Sequence, residues 1–104
     1  MHATILLHAG MSGHAGRFAV HGPELEKILQ GLPGLVSYHL IETAEGVAAL
    51  VVGRDRAACE ECVRRAGRWM DAHLPDLATR KPLVVSGAVI AETTEAMRRS
   101  RDGS

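Results

Sequence analysis

Histidine is the side chain in this sequence best suited to acid–base chemistry near neutral pH, and the chain has six. Because side chains alternate along a strand, four residues share one face of the first predicted strand: His2, Thr4, Leu6 and His8. Ser37 and His39 share a face of the second. We expect His8 and His39 to act as general acid or base if both faces look into the cavity between the two sheets of a dimer. The competing interpretation, favoured by the lack of an orienting carboxylate, is that both lie at strand ends or bind a backbone carbonyl.

A second candidate pair, Trp69 and His73, lies four residues apart on a predicted helix, so the two side chains share a face. Together they could form a pocket wall, and His73 could offer an axial ligand to haem. Core packing is the more common role of an aromatic residue at this spacing, and no second-shell partner for a haem-bound histidine can be named. These points weigh against haem, and we expect no haem or other cofactor. We keep Trp69 and His73 as candidate ligand contacts because together they could form a pocket wall.

Cys59 and Cys62 form a C-x-x-C pair about a turn inside the same helix. A redox pair of this kind opens its helix, where the helix dipole lowers the thiol pKa. A zinc site would need two further ligands, and only scattered histidines are available. The pattern therefore favours two small apolar residues packed under a sheet, and we expect no metal.

Composition and charge exclude several classes of function. The 12 Lys and Arg balance 12 Asp and Glu, so the chain has no basic footprint for nucleic acid. One Phe, one Tyr and one Trp are too few for a base-stacking platform. No apolar run approaches the ~20 residues of a membrane helix, and no secretory signal is recognised. We expect a cytoplasmic protein with reduced thiols and no membrane partner.

Hydrophobic spacing predicts the order β-α-β-β-α-β, a ferredoxin-like α+β fold. Strands are expected over residues 3–9, 35–42, 47–52 and 83–90. One helix is expected from Pro23 to a stop at Pro33-Gly34, with residues 17–21 forming a helical turn or a loop. The other is expected over residues 56–73, after an Asp55 N-cap. Residues 1–91 then form one domain, followed by a flexible tail over residues 92–104.

The predicted four-stranded antiparallel sheet is apolar on both faces. Right-handed crossovers place both helices on one face, which leaves the other without cover. A half-solvated strand alternates apolar and polar residues, but residues 47–52 read Val-Ala-Ala-Leu-Val-Val. Two copies stacked through a two-fold axis would bury the second faces and enclose a space between the sheets. The alternative is a monomer in which the loop and the tail cover that face.

Three segments carry a resemblance to a known family. They are residues 32–38 (Leu-Pro-Gly-Leu-Val-Ser-Tyr), residues 55–58 (Asp-Arg-Ala-Ala) and residues 65–69 (Arg-Ala-Gly-Arg-Trp). With the element order, they make residues 1–91 resemble the dimeric α/β-barrel superfamily, in particular its small members related to antibiotic-biosynthesis monooxygenases. The resemblance implies a homodimer that forms an α/β barrel, with a ligand pocket between the sheet and the helices.

The chemical residues of that family do not carry over. Its best-known enzymes oxidise polyketide-type aromatics without metal or flavin, using Asn and Trp around the third strand. Residues 47–54 of this chain contain neither. The haem-degrading relatives use an Asn on the first strand, where this chain has Leu7 and His8. The resemblance therefore supports the fold and the pocket rather than a reaction.

We expect a homodimer that binds a small hydrophobic or aromatic molecule in an apolar pocket. The candidate catalytic residues are His8 and His39. The candidate ligand-binding residues are Thr4, Leu6, Ser37, Trp69 and His73. If the protein is an enzyme, the reaction is cofactor-independent and monooxygenase-like or a proton transfer on an aromatic or polyketide-type metabolite. The alternatives are a non-catalytic structural or regulatory dimer and a haem-binding protein, and an empty space of ~300 Å³ or more would favour ligand binding.

Overall fold

A computed structural model of the protein describes residues 1–10, 13–79 and 81–93. The elements, in chain order, are β1 (His2–Ala9), α1 (Ala15–Gln30), β2 (Leu35–Thr43), β3 (Gly46–Gly53), α2 (Arg56–His73), α3 (Pro75–Ala78) and β4 (Leu83–Ala88). The predicted β-α-β-β-α-β order is confirmed, and the short helix α3 is an addition to it. Residues 94–104, most of the predicted tail, lie outside the described residues.

The four strands form one antiparallel sheet in the order β2-β3-β1-β4. Strands β2 and β3 form a hairpin in which Thr43 pairs with Gly46, so only two residues make the turn. Strand β1 pairs with both β3 and β4 and is therefore central. Helices α1 and α2 pack on one face of this sheet, as the ferredoxin-like fold requires.

Helix α1 begins at Ala15, well before the predicted start at Pro23. A proline removes one helical hydrogen bond and crowds the preceding turn, so it often marks a helix start. Here the helix continues through Pro23 because its first part is held to the rest of the molecule. Phe18 is buried in the core, with 6% of its surface exposed. Arg17 donates two hydrogen bonds of 2.8 Å to the carboxylate of Asp76 on α3.

The core lies between the helices and the sheet. Helix α1 contributes Leu25 and Leu29, and the fully buried Cys59 and Cys62 come from α2. The Cys59 thiol donates to the carbonyl oxygen of His2 at 3.3 Å. Burial raises the pKa of the Cys62 thiol to about 11, which makes it a poor nucleophile and metal ligand. Both cysteines therefore have the core-packing role that the sequence favours.

The other face of the sheet, here called the open face, carries apolar side chains with no helix over them. Its members alternate with the helix-covered residues and are Ile5, Leu7, Ile41, Leu50, Val52, Leu83 and Val85. Exposure of these side chains reaches 39% at the central Ile5 and 64% at Leu83. The sequence pattern predicts this second apolar face, and the single described chain leaves it uncovered.

The start of α2 packs closely against Gly34, which lies in the loop between α1 and β2. Gly34 has a φ of +83°, and a Cβ at this position would lie 3.0 Å from the Cβ of Ala58. We expect Gly34→Ala to lower the free energy of unfolding by about 1–2 kcal/mol, because it combines a left-handed backbone with a close contact. Urea denaturation measures this change.

The matched control for that substitution is Gly31→Ala. Gly31 has a φ of −87°, and a Cβ there would meet nothing within 4 Å. The free energy of unfolding of the Gly31→Ala variant should differ from that of the wild type by less than about 0.5 kcal/mol. Equal effects of the two substitutions would contradict the close packing at Gly34.

Candidate ligand site between sheet and helices

A cavity of about 230 Å³, partly open to solvent, lies between the sheet and the helices. Its walls are mainly apolar, and the residues used below are Leu6, His8, Phe18, Tyr38, Ala66 and Trp69. The volume is below the ~300 Å³ that marks the lower end of pockets for drug-sized ligands. It exceeds the roughly 150 Å³ of an apolar cavity that holds benzene. A ligand of one or two rings matches this size.

Each wall is positioned by regular structure. Strand β1 presents Leu6 and His8 on its helix-covered side, because residues two apart share a face. The register shift between Leu35 and Ser37 brings Tyr38 of β2 to the same side, opposite Val51. Burial raises the pKa of the Tyr38 hydroxyl to about 12, so this side chain is a neutral phenol at physiological pH.

Two of the lining residues each carry a buried polar atom that has no hydrogen-bond partner among the described residues. They are Nε1 of Trp69 and Nδ1 of His8. Burial lowers the pKa of His8, so its ring is neutral at neutral pH and has one nitrogen able to accept a proton. The site therefore combines apolar walls with two polar groups, the pattern of a small-molecule site.

His73 packs behind Trp69 and does not line the cavity. Its ring stacks on the Trp69 ring with centroids 5.2 Å apart, and His21 meets the same indole edge-on at 5.9 Å. Nδ1 of His73 donates to the carbonyl oxygen of Trp69 at 2.9 Å, and Nε2 lies 3.0 Å from a carboxylate oxygen of Glu24. Both ring nitrogens therefore have partners, and neither is free for haem iron. The ligand-binding role of His73 stays a prediction.

The structure separates His39 from His8. His39 pairs directly with Leu50, which places it on the open face, whereas His8 lies on the helix-covered face. The two histidines therefore do not share an inter-sheet cavity: His39 lies on the face that a second sheet would cover, and His8 does not. The reason is parity: Tyr38 points towards the helices, so its neighbour His39 points away. Ser37 pairs with Val52 and shares the open face with His39.

Thr4 is buried on the helix-covered face but lies outside the cavity wall. Its hydroxyl lies 3.1 Å from the hydroxyl of Ser86, within hydrogen-bonding distance. Of the residues predicted for the site, the structure therefore brings together Leu6, His8 and Trp69. It adds Phe18 and Tyr38, which the sequence reasoning missed. Phe18 lies in the segment that was left as a turn or loop.

Three findings bear on metal and membrane binding and on known families. No group of three or more side chains suited to hold a metal ion occurs among residues 1–10, 13–79 and 81–93. No helix in these same segments is long and apolar enough to cross a membrane. Comparison with family models and with curated proteins finds no match.

Solved structures show the same fold at low sequence identity. Rv0793 from Mycobacterium tuberculosis has 21% identity and a TM-score of 0.65, covering 89% of this chain and 98% of its own. A monooxygenase of Streptomyces coelicolor, the product of ActVA-Orf6 in complex with nanaomycin D, has 14% identity and a TM-score of 0.59, covering 88% and 91%. A dimeric ferredoxin-like protein from Jannaschia has 21% identity and a TM-score of 0.56, covering 85% and 97%. The chain thus has the ferredoxin-like fold of these proteins.

The environment of His8 predicts a pH dependence of stability. Since burial lowers the pKa of His8 below 6.5, the unfolded chain binds a proton there more readily than the folded protein. Above pH ~6.5 His8 is neutral in both states and does not affect the free energy of unfolding. As the pH falls through ~6.5, the unfolded chain gains a proton first, so the free energy of unfolding decreases. Below the folded-state pKa both states are protonated and the decrease stops. We expect His8→Gln to lose stability less steeply than the wild type between pH 7 and 5. Urea unfolding at one protein concentration measures both curves, and parallel curves would contradict a desolvated His8.

Proposed function

We propose that this protein is a homodimer that binds a small, largely apolar ring compound in the cavity of each protomer. The observation that carries this proposal is the cavity itself, which has mainly apolar walls and a histidine, His8, among its lining residues. Cores are normally close-packed, with few voids larger than a water molecule. A space of about 230 Å³ is below the ~300 Å³ set above as favouring a ligand, but it is large enough for a compound of one or two rings, which supports a small ligand.

The open face supports the homodimer. Soluble monomers rarely expose a large continuous apolar patch, and this one spans all four strands. A two-fold axis through the patch would bury it against an identical patch, so no other partner is needed. The Jannaschia protein of the same fold, which is described as dimeric, supports the same arrangement.

A catalytic form of this proposal assigns the base to His8. A neutral imidazole in an apolar cavity can take an acidic proton from a bound ring, since water does not compete there. In a cofactor-independent oxygenation the resulting carbanion would add O₂. One oxygen atom would become a new carbonyl oxygen, and the other would leave as water with both hydrogens of the original CH₂ group. The monooxygenase of the same fold, bound to nanaomycin D, supports this class of reaction.

Disruption of the open face should produce monomers. Ile5 lies on the central strand and pairs with Leu50 and Val85, so a charge there would be buried at the centre of the interface. We expect the Ile5→Glu variant to have half the wild-type mass by light scattering. Its far-ultraviolet circular dichroism spectrum should match that of the wild type, which shows that the monomer is folded.

Val20→Glu is the control for that substitution, since Val20 is an exposed apolar residue of α1 with 77% of its surface accessible. It should leave the dimer unchanged. Dissociation by both variants, or by neither, would contradict an interface through the open face.

Filling the cavity should weaken ligand binding. Ala66 of α2 lines the cavity, whereas Ala72 of the same helix is exposed. With 1-indanone as the probe, we expect Ala66→Leu to weaken binding at least about tenfold and Ala72→Leu to leave it unchanged. Trp69 is the only tryptophan, so quenching of intrinsic fluorescence reports on the cavity wall. Absence of saturable quenching in the wild type, or equal affinity in both variants, would contradict the proposed site.

A further inference from the structure

A second space adjoins the cavity and is larger than it. It is a groove of about 630 Å³, open to solvent, that lies between α1 and the edge strand β2. Its lining includes the apolar side chains of Ala19, Pro23 and Val47, together with Glu26 and Glu42. The cavity and the groove together would hold a much longer molecule than the cavity alone.

Two side chains lie between the cavity and the groove. Phe18 of α1 and Leu40 of β2 line both spaces, and no other residue of the described segments does so. Phe18 is buried, whereas 36% of the surface of Leu40 is exposed. Leu40 pairs with Ala49, which lines the cavity but not the groove. We call Phe18 and Leu40 the partition, since they are the side chains that separate the two spaces.

Helix α1 holds Phe18 in place and leaves the groove side of it empty. The preceding residue, Arg17, donates two hydrogen bonds of 2.8 Å to Asp76, which fixes the first turns of the helix. Gly22 follows Phe18 by four residues, so the two positions share a helix face. Gly22 lines the groove, and a Cβ added to it would meet nothing within 4 Å. The groove beside the partition therefore has room for a further ring.

We propose that the partition determines ligand size: Phe18 and Leu40 close the cavity towards the groove and limit the bound compound to one or two rings. This proposal rests on the proposed ligand-binding function and adds the residues that set its size limit. A third ring would have to displace the partition, and extra volume in a packed region forces side chains from their preferred conformations. A shorter side chain at either position would connect the two spaces and let the third ring enter the groove.

The test compares 1-indanone with 9-fluorenone, which has the same ketone and one more fused ring. Both compounds are uncharged, so the carboxylates of the groove do not distinguish them by charge. Isothermal titration calorimetry on the full chain gives the ratio of the 9-fluorenone affinity to the 1-indanone affinity. The wild type should favour 1-indanone, and Leu40→Ala should raise the ratio at least about tenfold. Leu40 is the position to shorten, because truncation of the buried Phe18 would cost more stability.

Two further variants control this comparison. Ile28→Ala removes an aliphatic side chain of α1 that is 38% exposed and lines neither space, so the ratio should stay at the wild-type value. Addition of Gly22→Leu to Leu40→Ala refills the groove, and this double variant should lose the gain in the ratio.

The failure of this proposal is distinguishable from that of the binding function. If the wild type binds 1-indanone and Leu40→Ala leaves the ratio unchanged, the partition does not set ligand size and the binding function stands. A wild type that binds 9-fluorenone as tightly as 1-indanone, or a raised ratio that persists in the double variant, would also overturn the proposal. If the wild type binds neither compound, the proposed function is overturned and the size limit with it.

Discussion

The structure depends on one imbalance: the sheet has two apolar faces and the described chain has helices for only one. Burial of apolar surface is the main favourable term in folding, so an uncovered face forgoes stabilisation and invites association. On the covered face, Leu6 and Val51 pack into the core beneath α1 and α2. On the open face, Ile5 and Val85 have no helix over them. The same strands thus supply a core and a surface suited to a second copy.

The cavity follows from a local shortage of side-chain volume on the covered face. Ala49 of β3 and Ala66 and Gly67 of α2 line the space, and none of them can fill it. The large rings of Phe18 and Trp69 form two of the cavity walls. An ordinary core would place a leucine or isoleucine at one of these small positions. The retention of small residues beside two aromatic walls is the packing feature that a bound ring would explain.

The sequence predicted the fold well because its signals were local and strong. The Asp55 N-cap and the helix that ends before Pro75 are as predicted, and the Asp55 carboxylate accepts a hydrogen bond from the Ala58 N–H. The start of α1 was misplaced because Pro23 resembles a helix start. The contacts that extend the helix, from Phe18 to the core and from Arg17 to Asp76, join residues far apart in the chain.

The site was harder to predict because it depends on how neighbouring strands align. When both faces of a strand are apolar, the pattern cannot tell which face meets the helices. His8 and Trp69 were predicted from their side-chain chemistry and their spacing on β1 and α2, and both line the cavity. His8 and His39 lie on opposite faces because the irregularity at the start of β2 sets the parity of His39, and only the pairing with β3 reveals this. Tyr38 was missed for the same reason.

Sedimentation velocity of the wild-type protein, diluted from high to low micromolar concentration, tests the account most directly. At high concentration we expect a single boundary at twice the chain mass of 11.1 kDa. A species of one chain mass should appear only on dilution, as the dimer dissociates. A well-folded species of one chain mass at every concentration would show that water tolerates the open face, and would contradict the account.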